Sequence, residues 1–294
     1  YFDVLGMEYY PFYSPLVQPS QRHSDAAIAG LADAKQRMAQ VLNTRGYNGT
    51  TYPNKLYCLS TTGVPRKSVN GSIGGEEVQR NYLIKVAIKA RELGFIKVHN
   101  HLLGELINLS LATKTSEAMG LYENLFRDTP YNQVYTGAGI FQLSHTTILK
   151  NATPEPGRLA QLNLPSNVKG AAYKLPNGKY CYVLWAQTQT DNSENAQATY
   201  NAGTALGITQ IRRCEWDYAL TEIDEVIPAN GIQLTGTPAY FIDDAPAAPV
   251  PQPLTQFGPL TVEPDYPNNL VDIKWTTTLE RDDNFFSVER SVDG

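Results

Sequence analysis

The sequence predicts an α/β region followed by an all-β region, and three observations carry that division. Up to about residue 152, short apolar runs alternate with stretches whose apolar residues recur every three or four positions. From about Arg158 the period falls to two, and between Ala245 and Pro259 five of fifteen residues are proline, the composition of an extended spacer. The 294 residues supply about two domains of ordinary size. The expected divisions are 1–152, 153–243, a Pro/Ala-rich linker at 244–259, and a truncated β module at 260–294.

Taken in order, Phe2 to Tyr9 is a short apolar run closed by Pro11 and Pro15 and reads as a strand. Ser24 is placed to cap a helix in which Ile28, Leu31, the stem of Lys35, Met38 and Leu42 share one face, ending at Gly46. Lys55 to Ser60 predicts a second strand. Glu76 to Leu93 predicts a second helix with Val78, Tyr82, Val86, Ala90 and Leu93 on one face and Gly94 at its C-terminus. Phe95 to Leu103 predicts the third strand. Two successive strand–helix–strand units imply parallel pairing with right-handed crossovers and a sheet that needs cover on both faces. Tyr131 to Asn151 supplies one more helix, weakened by Gly137 and Gly139.

In the second region Ala171, Tyr173 and Leu175 alternate with their neighbours. Asn177-Gly178 predicts a type I′ hairpin turn into Tyr180–Trp185. Further strands are expected at Gln197–Tyr200, Ile211–Trp216, Thr221–Ile227, Ile232–Leu234 and Ala239–Ile242, the pattern of an antiparallel sandwich. Val271–Trp275 and Phe286–Arg290 predict two strands of the last module. Because Tyr1 is not Met and Asp293-Gly294 is a turn with no strand after it, the sequence reads as an internal piece of a longer polypeptide.

Several function classes are excluded. The longest apolar run, Tyr180–Ala186, is far short of the roughly 20 residues of a membrane-spanning helix. A net charge of −5 with no Lys/Arg-rich run offers no footprint for nucleic acid. Three scattered cysteines, Cys58, Cys181 and Cys214, make neither a disulfide framework nor a zinc site and leave at least one thiol free. Gly71-Ser72-Ile73-Gly74-Gly75 lacks the Lys-Ser/Thr ending of a phosphate loop, and there is no Gly-x-Ser-x-Gly elbow. No cofactor is expected.

In α/β folds the working residues lie where parallel strands give way to loops. Three such places can be read: Glu8-Tyr9-Tyr10-Pro11, Ser60-Thr61-Thr62-Gly63, and His99-Asn100-His101 running on to Glu105. Glu8 is either a solvated loop carboxylate or a site residue. His99 and His101 share a face under strand periodicity, but no third His or Cys stands at ligand spacing, so hydrogen-bonded strand histidines are expected and no metal. Tyr9, Tyr10 and Tyr13 suit stacking on sugar rings or packing in a core.

The segments Phe2–Pro11, Leu59–Arg66 and Lys97–Glu105 with Gly120-Leu121-Tyr122 resemble strands six, seven and eight of a clan A glycoside hydrolase, a (β/α)8 barrel. The run Tyr182–Thr188, with Asp191, Ser193 and Glu194, is similar to the β-sandwich appended to such barrels. The resemblance covers about residues 1–243 and implies the C-terminal part of the barrel: three parallel strands and their helices, then an antiparallel β-sandwich. It implies an O-glycosyl hydrolase that cleaves β-linked polysaccharide with retention, using an acid/base Glu after strand four and a nucleophilic Glu ending strand seven. Strand four lies outside the sequence, and Thr61 stands at the nucleophile position. A neutral hydroxyl cannot replace the carboxylate that attacks the anomeric carbon. Glu8 stands where the family usually has His. Strands six and eight are about 10 Å apart, so Glu8 and Glu105 are a candidate inverting pair. Tyr9, Tyr10, His99 and His101 are the candidate substrate-binding residues.

Val271–Thr277 and Asn284–Ser291 resemble the fibronectin-like module that precedes type IX sorting domains in Bacteroidetes exoproteins, which implies a secreted or cell-surface parent. The expectation is a fragment of a secreted glycoside hydrolase, completed by the upstream barrel half of its parent chain and inactive alone. The alternatives are a carbohydrate-binding pseudoenzyme and structural spacer domains.

Overall fold

A computed structural model of the chain describes residues 3–11, 23–69, 71–123, 134–243, 261–265 and 270–274. These residues fall into two compact units, one running to Ala245 and one from Pro246.

The first unit opens with β1 (Val4–Tyr9), α1 (Ser24–Thr44), β2 (Leu56–Thr62), α2 (Glu76–Glu92) and β3 (Phe95–Asn100). The strands form a parallel sheet in the order β1-β2-β3, as the alternation of strand and helix predicts. Its two faces differ. Met7, Leu59 and Phe95 are buried against the helices, whereas Val4, Leu56 and Ile96 on the opposite face are 40 to 52% exposed. Three parallel strands with helices are therefore what the described residues show, and they close no barrel.

Helix α1 begins as expected but is capped at His23, without a side-chain cap bond. Ser24 is its first residue, and its hydroxyl is spent elsewhere. Of the predicted face, Ile28, Leu31 and Leu42 are buried and Met38 is exposed. Lys35 is half-buried, with its ammonium donating to the Leu93 carbonyl and lying 4.9 Å from the Tyr57 ring centroid. Helix α2 departs from the one-faced pattern: Asn81 through Val86 are all buried. The cause is its position, because its core neighbours come from the parallel sheet and also from Tyr173, Cys181, Val183 and Trp185 of the β region. Leu93 caps α2, and Gly94 follows at φ +78°, the left-handed conformation that stops the helix.

The predicted third strand breaks at His101 into β3 and a short β4 (Leu102–Gly104), which pairs in parallel with β5 (Gly120–Tyr122). Helix α3 (Gly137–Ile148) falls within the expected Tyr131–Asn151. Thr136 caps it by accepting from the Gly139 N–H, so the two glycines sit in the first turn and do not prevent the helix.

The antiparallel region contains β6 (Thr153–Pro154), α4 (Pro156–Gln161), β7 (Val168–Lys174), β8 (Tyr180–Ala186), β9 (Gln197–Tyr200), α5 (Ala202–Leu206), β10 (Gln210–Cys214), α6 (Tyr218–Thr221), β11 (Asp224–Pro228), β12 (Ile232–Thr235) and β13 (Ala239–Ile242). Six strands form one sheet, β11-β10-β13-β8-β7-β6, while β9 and β12 pair separately and bury Ala198, Tyr200, Ile232 and Leu234 on its far face. Helix α6 takes the start of the strand expected from Thr221. The hairpin at Asn177-Gly178 is not type I′, which needs positive φ at both central residues. Only Gly178 has it, at +84°, and the Leu175 N–H donates to the Lys179 carbonyl, so the loop is Pro176-Asn177-Gly178. None of the three cysteines is in a disulfide; Cys181 and Cys214 are buried and Cys58 is half-buried.

In the second unit β14 (Thr261–Asp265) pairs antiparallel with β15 (Leu270–Lys274), the latter on the predicted Val271–Trp275 strand. The Pro/Ala-rich linker, the Phe286–Arg290 strand and Tyr13 lie outside the described residues.

Candidate functional site

Strand ends β1 and β2 lie side by side, and a bulge between Met7 and Glu8 brings Glu8 into register with Thr61. Glu8 is exposed on the face turned away from the helices. The next residue but one, Tyr10, places its hydroxyl 2.7 Å from Thr61 Oγ1 and 2.7 Å from His101 Nδ1, with Thr61 Oγ1 itself 3.4 Å from that nitrogen. The Tyr10 and His101 rings meet edge to face at 5.4 Å. Burial lowers the His101 pKa, with the Glu8 charge opposing, so the imidazole is neutral near pH 7. Two proton arrangements satisfy the three groups: Thr61 donates to Tyr10 and Tyr10 to Nδ1, with the ring proton on Nε2, or Nδ1–H donates to Tyr10 and Tyr10 to Thr61. Gly63 makes room for this cluster, since a Cβ there would stand 3.3 Å from His101 Cβ.

Neighbouring residues on the same strands point the other way. Thr62 Oγ1 donates to the Tyr9 carbonyl and lies 2.6 Å from the hydroxyl of the fully buried Tyr82. Tyr9 donates its own hydroxyl to the Ala27 carbonyl on α1 at 2.5 Å. Burial first, and the Asp33 charge second, push its pKa up to about 12. Tyr9 therefore packs against α1 and does not join Tyr10 at the rim. His99 is exposed on β3.

Glu105, the other half of the expected carboxylate pair, is buried and held by both its oxygens. Arg66 donates from Nε to Oε1 and from Nη2 to Oε2, each at 2.9 Å, and from Nη1 to Glu76 and Glu123 at 2.8 Å. Burial works to lower the Arg66 pKa, and the bonds and charges of Glu105, Glu123 and Glu76 outweigh it and hold it above its ordinary value. With both oxygens engaged by a guanidinium, Glu105 is an anchor for the loop after β2 rather than a group free to exchange a proton with substrate. Arg66 was visible in the sequence as part of the loop after β2, but nothing in the spacing joins it to Glu105, Glu76 and Glu123.

A second buried cation went unnoticed in the sequence. Lys85, on α2, donates at 2.8 Å to Asp25 Oδ2 and to Ser24 Oγ, and Trp185 Nε1 donates to Asp25 Oδ1 at 2.8 Å. Glu194 accepts from the Ser24 N–H at 2.5 Å, from Ser24 Oγ at 2.9 Å and from Asn81 Nδ2 at 2.5 Å. Desolvation raises the Asp25 pKa against the pull of Lys85. This network joins α1 and α2 to the antiparallel sheet and its following loop. A sequence signal existed: Asn81 and Lys85 are four apart among Tyr82, Leu83, Ile84 and Val86.

The rim is thus built from Glu8, Tyr10, Thr61 and His101: a carboxylate, an aromatic ring, a hydroxyl and a neutral imidazole. That set presents an apolar face and several hydrogen-bonding groups, and it holds one carboxylate where hydrolysis of a glycoside uses two. Among the described residues no group of three or more His, Cys, Asp or Glu is placed to hold a metal ion, and no helix is long and apolar enough to cross a membrane. A scan against protein-family models finds no match, and a search of the curated proteins finds no relative.

Proposed function

We propose that this chain belongs to a secreted glycoside-hydrolase-like protein and that its rim binds β-linked carbohydrate without cleaving it. The observation that supports the reading is the Tyr10 hydroxyl bridging Thr61 and His101. Thr61, at the position where a retaining hydrolase of the resembled type carries its nucleophile, is tied into a neutral hydrogen-bonded cluster, and the nearest base, His101 Nδ1, is engaged at 2.7 Å by the Tyr10 hydroxyl and lies 3.4 Å from Thr61 Oγ1. Glu105 accepts from Arg66 with both oxygens, which supports a reading without the inverting pair. Sugar hydroxyls would bond to Glu8 and the outward His101 Nε2, and a pyranose face would rest on Tyr10. The open face of the parallel sheet would be covered by the remaining strands of a barrel in the parent chain.

The test is calorimetric titration of the full chain with cello-, xylo- and manno-oligosaccharides, beside Tyr10→Phe. Saturable binding without release of reducing ends, weakened about tenfold or more in the variant, is the expected result, in line with the loss of one partly buried hydrogen-bonding hydroxyl from a site built around it. Binding unchanged by Tyr10→Phe, or steady product release, would overturn the reading.

A further inference from the structure

On the side of the molecule where α2 meets the antiparallel sheet, two adjoining hollows of about 190 and 180 Å³ share Ile88, Glu92 and Gly170 in their walls. Together they form one groove along the outer edge of β7. Its apolar lining includes Trp185 and Ile28 at one end and Pro156 and Leu159 at the other.

The hydrogen-bond parity of β7 gives this groove its character. Gln187 N–H donates to the Asn167 carbonyl, and Leu175 N–H donates to the Lys179 carbonyl. In the register that pairs Val168 with Ala186 and Lys174 with Tyr180, the odd-numbered residues therefore bond to β8, and the even-numbered ones turn their N–H and C=O to the outer edge. At that edge Val168 N–H is taken by the Pro165 carbonyl, the Ala172 carbonyl is taken by the Glu155 N–H, and β6 covers Tyr173 and Lys174. Gly170 lies between them, and its outward N–H and C=O have no partner among the described residues. An unpaired donor and acceptor at a strand edge, flanked by apolar hollows on both sides, is the arrangement that accepts an added strand.

The charge around the groove selects what that strand carries. Among the lining residues, Lys89, Arg91 and Lys169 stand beside Glu92, which Lys89 holds at 2.9 Å, and the deeper Asp25 is answered by Lys85; Glu155 adds one carboxylate at the end near β6. The rim is locally cationic on a chain whose net charge is −5. We propose that this groove takes an extended peptide segment of a partner protein as an added strand beside β7, with ladder bonds at Gly170 and an acidic side chain against Lys169 and Arg91.

The full chain can be tested with a capped eight-residue peptide that alternates valine and threonine around central glutamates. Two control probes are the same peptide with lysines for the glutamates and the same peptide N-methylated on alternate amides. Fluorescence anisotropy should show saturable binding of the acidic peptide, a loss of about tenfold or more on N-methylation, and weakening of about fivefold in Lys169→Glu. Lys169 is exposed, so that variant should melt with the parent chain. Amide hydrogen exchange should slow at Val168–Ala172 on binding. Equal affinity for the methylated and unmethylated peptides, equal affinity for the lysine peptide, no saturation, or protection elsewhere would each overturn the proposal. So would protection of the same segment in concentrated, peptide-free protein with the mass of a dimer, which would make the edge a contact between copies.

Discussion

Two buried cations organise this molecule, and they do so differently. Arg66 binds three carboxylates with a planar fork, and two of these, Glu76 and Glu123, reach solvent with 65% and 36% of their side chains exposed. Lys85 and Asp25 are 0% and 1% exposed, and around them Ser24, Trp185, Glu194 and the Asn81 amide nitrogen bond to them or to one another, while Asn81 Oδ1 has no partner among the described residues. The first hub fixes one loop beside the candidate rim, and water can answer for most of what it holds. The second fastens two helices to a sheet through charged side chains that are 6% exposed or less. The comparison teaches that a buried charge stabilises according to what is left behind when it is removed.

The largest expected effect follows directly. Lys85→Met leaves Asp25 and Glu194 in a dry interior and should cost about 3–5 kcal/mol, read as a lowered urea midpoint. Arg66→Met leaves Glu105 unpaired but lets Glu76 and Glu123 rehydrate, and about 2–3 kcal/mol is expected. If the two variants lose equal stability, or Arg66→Met loses more, the contrast drawn from exposure is wrong.

A smaller effect concerns the same junction without a charge. His145, half-buried on α3, lies 3.1 Å by Nδ1 from the Tyr240 hydroxyl. Desolvation, with the Arg91 charge adding, lowers its pKa to about 4. The unfolded imidazole takes its proton near pH 6.5, so between that pH and about 4 the unfolded state binds more protons. Its contribution is complete above about 6.5 and is lost as the pH falls toward 4, by about 2 kcal/mol after allowing for the ring's partial exposure. Subtracting the stability curve of His145→Gln from that of the parent chain over this window isolates the slope, and parallel curves would remove the prediction.

Smallest is Tyr10→Phe, which should change stability by no more than about 1 kcal/mol because the rim is only partly buried. Its effect belongs in binding. A large loss of stability would move Tyr10 from the rim's function to the fold's support.

What could be read in the sequence follows from how local each signal is. Strand–helix alternation, the left-handed Gly94 and the period of two in β7 and β8 act over a few residues, and they gave the parallel and antiparallel regions in the right places. The placement of Glu8, Tyr10, Thr61 and His101 at strand ends could be inferred in the same way. The roles of Glu105 and Tyr9 could not, because each is decided by a partner far along the chain: Arg66 is 39 residues from Glu105, and Ala27 is 18 from Tyr9. Helix α2 misled for a related reason. Periodicity describes one buried face, and only the presence of a second sheet explains why Lys85 and Asn81 are buried with the apolar residues. The dipeptide Asn177-Gly178 predicts a two-residue turn, yet Pro176 joins it and lengthens the loop to three residues.

The most direct test of the central claim follows the His101 imidazole by NMR while a neutral β-linked hexasaccharide is added to the full chain. The account predicts a neutral ring whose Nε2 signal shifts to saturation with no new reducing ends in solution. Saccharide that binds while this signal stays still, or that is cut as it binds, would contradict it.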